Sequence, residues 1–414
     1  MMRIRRPFRL AIAATAVVTI VAVIVWNLWS CATERKVRHA IESLRADGYA
    51  VSPATIYACG SESNDAAELY RQAFAKFMSS SDLSANPREL SFDSLTNEQR
   101  SGLQLLFQRH ADAFETLRRA RLKGDCRFAR NYDTTWPDAP EAGPALVVAG
   151  WLALRAQMLG QQGSNDNAIE ATRDIFALAM AFKEEPTHLS QTTMLGISDI
   201  AIFTVYKCVA ADTDLSESDV LEWLSTVPNM AVLDRSVEWA IRGEVARVAW
   251  LLEDLSRLES QSAGVHGDLC SRIGRRVSAP LVRSESLVSL ARLQQMVACL
   301  RLSYPRSREA IVSICPPDVL RRRFDLGAAS FLGMDSLLEM SVTVRSALAV
   351  TRTGLEWEIA FIRGRHPEAA GLPMGPSTDR PLVYDAARRE LSAAGPLPQS
   401  WMRSHGLVWK LHHR

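Results

Sequence analysis

This chain has almost no net charge: 48 Lys and Arg stand against 46 Asp and Glu over 414 residues. So weak a field excludes a nucleic-acid partner recognised by charge alone. The basic runs "RIGRRVS" and "LRRRFD" are short and have acids close by, so they read as solvated surface. Metal motifs are missing as well. The eight histidines, His39, His110, His188, His266, His366, His405, His412 and His413, include no HExxH pair, and no CxxC stands near any of them. The terminal pair His412-His413 reads as a solvated tail, and His110, near Asp112 and Glu115, as an exposed or internally satisfied side chain. No Gly-rich phosphate loop of standard spacing occurs. The serine of "ACGSES", Ser61, lacks the second glycine and the preceding strand of a nucleophile elbow. A 34-residue helical repeat does not recur, which excludes a regular solenoid. Long polar low-complexity tracts are scarce too, and with 47% apolar residues most of the chain must fold.

One long hydrophobic run is present. From Leu10 to Trp29 the only polar side chains are Thr15, Thr19 and Asn27. These 20 residues would make about 30 Å of helix, the thickness of a bilayer's hydrocarbon core. Signal-peptide cores are shorter and end in a small-x-small site, whereas this run ends in Trp26, Asn27 and Trp29. The expectation is an uncleaved signal anchor with an aromatic belt at its exit. Arg3, Arg5, Arg6 and Arg9 precede it and place the N-terminus in the cytoplasm, although Arg35, Lys36, Arg38 and Arg45 follow it and reduce the asymmetry. Leu28, Ser30 and Cys31 sit as a lipoprotein signal requires. Trp29 occupies a position that takes a small side chain there, so Cys31 reads as a juxtamembrane thiol.

Helix signals dominate the rest. Val37, Ile41 and Leu44 continue the anchor as an amphipathic stalk ending at Gly48. Ala66, Leu69, Tyr70, Ala73, Phe74 and Phe77 form the next apolar stripe. A capping box, Thr96 with Gln99, opens one helix expected to run to Gly124. The Pro-rich "WPDAPEAGP" is an irregular connector. "GPALVVAGWLALRAQMLGQQG" and "SNDNAIEATRDIFALAMAFKEEP" then form a hairpin about Gly163, with Ile169, Phe176, Ala179 and Met180 on its inner stripe. The pair is similar to a single tetratricopeptide unit. "LSQTTMLGISDIAIFTVYKCVAAD" gives a strongly apolar helix, and Ser216 with Asp219 starts a short one through Trp223 and Leu224. The longest stripe runs through Leu233, Val237, Ile241, Val245, Val248, Leu252, Leu255 and Leu258. "ESQSAGVHGDLCSRIGRR" breaks the pattern. Helices resume from about Leu281 to Leu302, pause at Tyr304-Pro305, and resume through "DSLLEMSVTVRSALAVTRTGLEWEIAFIRG". "PLVY", "RELSA" and "LVWKL" read as a small meander.

The fold class expected is mainly α: an N-terminal transmembrane helix, an irregular stack of α-helical hairpins (tetratricopeptide-like in part), and a small C-terminal β meander. The divisions are 1–9, a basic cytoplasmic tail; 10–29, the transmembrane signal anchor; 30–260, an exported helical lobe; 261–365, a second helical segment; and 366–414, a Pro/Gly-rich tail with short strands. Several local patterns occur together: "LRADGYAVSP", "ESNDAAELYRQAF", "DCRFARNYD", the helix pair ending "EEP", "WAIRGEVAR" and "RGRHPEAA…STDRPLVYD…ELSAAG". With the span, these resemble an uncharacterised family of membrane-anchored helical proteins of planctomycete-type bacteria. The resemblance implies topology and fold and no activity. Asp379 is followed here by Arg380 where that family has proline.

Chemistry is sparse. Paired carboxylates Glu184-Glu185 and Glu253-Asp254 read as solvated helix surface. Glu244, between Arg242 and Arg247, reads as a partly buried carboxylate in an ion pair. Besides Cys31, the cysteines Cys59, Cys126, Cys208, Cys270, Cys299 and Cys315 allow one or two disulfides in an oxidising compartment, while Cys208 and Cys299 read equally as buried thiols. No catalytic, cofactor-binding or metal-ligating residue is assigned, and no cofactor is expected. The expected function is a single-pass, membrane-anchored exported interaction or scaffold module of the inner membrane. Its partners are membrane lipid and an envelope protein, with no nucleic acid. The alternative is an envelope enzyme whose site assembles in three dimensions around Glu244 or the 261–278 loop with His266.

Overall fold

The computed structural model describes residues 6–56, 65–80, 87, 92–130, 139–212, 215–229, 231–253, 255, 269–314, 333–365, 367, 371–378, 380–394 and 407–411; for 6–12, 53, 54, 65, 232, 269–277 and 335 only the backbone is described. "ACGSES", Asp379, His266 and the terminal histidine pair lie outside them.

Residues from Arg6 to Ala46 form one continuous helix, α1. Its first half is long and apolar enough to cross a membrane, and its described apolar side chains lie open: Val17, Val18, Ile20, Val21, Val23, Ile24, Val25 and Leu28 are 52–68% exposed. Trp26 and Trp29 meet edge to face at 4.9 Å where that half ends. Beyond them Thr33, Val37, Ile41 and Leu44 are buried, so the expected stalk is a helix seated on the body rather than a free rod. Gly48, at φ +76°, takes the left-handed turn that ends it.

Helices α2 (Pro53–Ile56), α3 (Asp65–Ser79), α4 (Asn97–Arg109), α5 (Ala111–Leu122), α6 (Ala142–Gln161), α7 (Asn165–Met180), α8 (His188–Ala211), α9 (Glu217–Thr226), α10 (Ala231–Asp234) and α11 (Ser236–Glu253) follow. All six stripe residues of α3 are buried. The Thr96 capping box is present, but the helix it opens ends at Arg109. One helix to Gly124 was expected; instead the chain bends at His110 (φ −103°, ψ 21°), whose ring meets Ser80 Oγ at 3.3 Å. The bend lets α5 lie along α3, where Phe114 meets Phe77 edge to face at 5.1 Å. The hairpin of α6 and α7 turns at Gly163, φ +71°. Both α6 and α8 are also long and apolar enough to span a membrane, yet they are two-thirds buried against each other and α7, so their apolarity is core. The Ser216–Asp219 capping box opens α9. The one helix expected from Leu233 breaks at Arg235: Leu233 lies in α10, and Val237, Ile241, Val245, Val248 and Leu252 lie in α11, all buried, together with Ala240, Ala246, Ala249 and Leu251 on other faces. Leu258 lies outside the described residues.

The next helix, α12 (Leu269–Cys299), starts a dozen residues earlier than the expected Leu281 and carries Pro280 within it. Local glycine content obscures a helix whose later half is held by α11 and α1. Tyr304-Pro305 opens α13 (Tyr304–Ile314) rather than pausing a helix, because proline suits a first turn. Helix α14 (Met334–Ile362) runs against α8 and α9. The tail holds a two-stranded pair, β1 (Met374–Gly375) with β2 (Arg380–Pro381), and an antiparallel meander of β3 (Val383–Asp385), β4 (Glu390–Ser392) and β5 (Val408–Lys410). Trp409 of β5 is buried against Gly354 of α14, where a Cβ would stand 2.5 Å from the indole. Buried apolar residues form one cluster from Val37 to Leu411.

Candidate functional site

The densest polar chemistry lies where the connection after α7 runs into the first turn of α8, Lys183 to Gln191, "KEEPTHLSQ". Thr187 caps α8 by accepting from Ser190 N at 3.1 Å. Gln191 Nε2 donates to the carbonyls of Phe182 and Glu185 at 3.1 and 2.7 Å, tying the chain that follows α7 to the first turn of α8. Ser190 Oγ donates to the Glu185 carboxylate.

Glu185 is fully buried, and Arg130 grips it with Nε at 3.2 Å and Nη2 at 2.7 Å. Arg130 Nη1 also donates to Glu141, which accepts from Arg71 Nε at 2.9 Å. Two guanidinium groups thus meet two carboxylates, and the cluster is neutral. The Phe128 ring lies 5.2 Å from the Arg130 guanidinium and 5.7 Å from that of Arg71. Burial pushes the Glu185 pKa up, with Arg130 and Ser190 opposing it. Burial pushes Glu141 up too, but Arg130 and Arg71 outweigh it and hold its carboxyl below the usual range. Burial also raises the nearby Cys126 thiol, with Glu185 adding to the effect, so it stays a thiol.

The sequence reading of Glu184-Glu185 as solvated surface is therefore corrected. Helix α7 stops at Met180, and the turn that follows points Glu185 inward toward an arginine 55 residues earlier. "DCRFAR" and "EEP" carried the signal, but only as two separate motifs. Glu184 is exposed, and its carbonyl accepts from Trp239 Nε1 at 2.8 Å. Glu253 pairs with Arg45 of α1 at 3.0 Å; Asp254 lies outside the described residues.

Other elements close on the same turn. Gly243 of α11 sits directly under the Pro186 carbonyl, where any side chain would collide. His188 Nε2 donates to Gly333 O, just before α14, at 3.1 Å. Lys183 pairs with Asp125 at 2.9 Å. This nine-residue segment, the α7–α8 connection with the first turn of α8, thus fastens α11, the start of α14 and the segment before α6.

A second ionic ladder crosses α5, α7 and α9. Arg121 reaches Asp174 at 2.8 Å and also Glu170, while Arg173 reaches Glu170 at 2.6 Å and Glu222 at 3.2 Å. Burial raises Asp174 to about 7. Arg155 stacks over Phe114 at 4.5 Å.

Glu244 is buried as expected and accepts from Arg247 Nε at 2.7 Å on the same helix. His266 and most of the 261–278 loop lie outside the described residues, so the alternative site has no geometry to report there. Among the described residues no group of three or more His, Cys, Asp and Glu is placed to hold a metal ion. Cys31, Cys126, Cys208 and Cys299 are free thiols, and the side chains of Cys59, Cys270 and Cys315 lie outside the described residues. Cys208 packs over Gly160, where an added Cβ would stand 3.5 Å from its Sγ, and burial lifts its thiol to about 12. The Arg130 cluster joins the segment before α6 to the α7–α8 connection, and the Arg121–Asp174 pair joins α5 to α7. No family model, curated protein or solved structure matches the chain.

Proposed function

We propose that this chain is a single-pass membrane protein whose helical body is an interaction scaffold held at a fixed place on the membrane surface. The N-terminus lies in the cytoplasm and the body is exported across the cytoplasmic membrane. The observation that carries the reading is α1: about half of it is apolar and unpacked, and the rest, without a break, is part of the body's core. An apolar helix left uncovered to this extent needs lipid or protein around it. The irregular helix pairs, tetratricopeptide-like at α6 and α7, suit partner recognition. The charged clusters at Glu185 and Glu244 have structural work that accounts for their burial. The resemblance to the planctomycete-type anchored family agrees in topology.

Membrane integration is tested by alkaline carbonate extraction, where the full chain should stay in the pellet; release into the supernatant would sink the anchor. A C-terminal phosphatase fusion should be active and a C-terminal fluorescent fusion dark, and the reverse pattern would overturn the exported orientation. Cross-linking in native membranes, then capture from detergent, should recover one protein partner in stoichiometric amount. Recovery of the chain alone would count against the scaffold.

A further inference from the structure

We infer that the first three turns of α1 beyond its tryptophan pair form a collar that binds anionic phospholipid headgroups, so that the protein prefers an anionic lipid shell on the body side of the bilayer. The inference rests on the span reading. Trp26 and Trp29 mark the headgroup level, because indoles settle where one end is apolar and the other wet. Arg35 follows Trp29 by six residues and Arg38 by nine, which at helical rise is about 9 to 14 Å. The nearer of these charges lie within about one Debye length of an anionic surface at physiological salt.

The side chains also point the right way. Thr33, Val37, Ile41 and Leu44 form the seam buried on the body, and that orientation turns Arg35, Lys36, Arg38 and His39 to the open side, where all four are exposed. Among the described residues Arg35 and Lys36 make no ion pair. The nearest acid, Glu34, is shared between Arg38 at 3.6 Å and Arg283 of α12 at 3.8 Å, so it binds a fourth cation into the collar. Glu285 follows two residues along α12, and cations still outnumber acids two to one. Glu42 and the Arg45–Glu253 pair stand further up the helix. A collar of this kind contacts phosphate-bearing headgroups as point charges, without a pocket.

The test is lipid-selective quenching of indole fluorescence in the full chain reconstituted in bilayers. Acyl chains brominated near the headgroup quench tryptophans that touch lipid, and Trp26→Phe with Trp29→Phe identifies that share. Brominated phosphatidylglycerol at low mole fraction and low salt should quench about two- to fivefold more per lipid than brominated phosphatidylcholine. The preference should fall toward unity in 0.5 M salt and in the Arg35→Gln, Lys36→Gln, Arg38→Gln variant. Equal quenching by the two lipids in the wild type overturns the collar while leaving the span intact. Quenching by neither lipid overturns the span itself. A preference that survives in the triple variant overturns the assignment to these residues.

Discussion

Arg130 is the side chain on which most local order converges, since it carries both Glu185 and Glu141 with no solvent to replace it. Removing one member of a buried ionic cluster strands the others uncompensated. Arg130→Met should therefore lower stability by about 3–5 kcal/mol, whereas Arg71→Met, whose guanidinium is partly solvated, should cost about 1 kcal/mol or less; urea midpoints in detergent would separate the two. Asp174 makes a different prediction, because its burial raises it to about 7 while Arg121 pulls the other way. A raised carboxyl binds its proton more tightly folded than unfolded, so its favourable contribution is complete below about pH 4 and is lost as pH climbs to 7. Measured against Asp174→Asn, the wild type should lose roughly 2–4 kcal/mol across that window. A difference unchanged between pH 4.5 and 7.5 would show that the group does not titrate there. Neither residue stood out in the sequence. Burial of Glu185 depends on Arg130 and that of Asp174 on Arg121, contacts that no local pattern encodes.

Among the elements, the legible ones were those with a long periodic stripe or a cap: α3, the α6–α7 hairpin, α8, α9, α11 and α14. Three of the tail strands, β3, β4 and β5, also stood out, whereas the short β1–β2 pair did not. The misread elements were decided by neighbours. Residues 97–122 are periodic enough for one helix, yet they break at His110 because α5 has α3 to pack against. Three glycines hid the start of α12. Close packing between elements is sharpest where Gly243 meets Pro186. Gly243→Ala must push α11 off the α7–α8 turn, at a cost of about 1–3 kcal/mol or more, and a thermal scan should show it with a weakened Trp239 contact to Glu184. Gly102→Ala, where the space beside the glycine is open, should be neutral or slightly stabilising.

For the whole molecule, α1 has two separable halves. Deleting residues 1–30 removes the exposed apolar stretch and leaves Thr33, Val37, Ile41 and Leu44 in the core. That truncated chain should be soluble and monodisperse by size exclusion, with helical circular dichroism retained. Deleting 1–47 also strips the seam from α11 and α12, and the product should aggregate or lose cooperative melting. If both truncations behaved alike, the second half of α1 would not belong to the folded body.

From Trp29 to Ala46 there is no proline, no glycine and no break in the helix, a rise of about 25 Å. A tether with a loop in it would let its cargo swivel and bob. With its apolar half in a bilayer, as proposed above, this one would act as an axle keyed to its wheel: turning the helix would turn the whole body through the same angle. Two neighbouring copies, or a copy and its partner, would meet at one height and one compass bearing set by the lipid-facing residues far below. Inserting one residue after Trp29 would rotate the body by about 100° about that axle without touching its surface, and a partner contact built on bearing would be lost while the fold stayed whole.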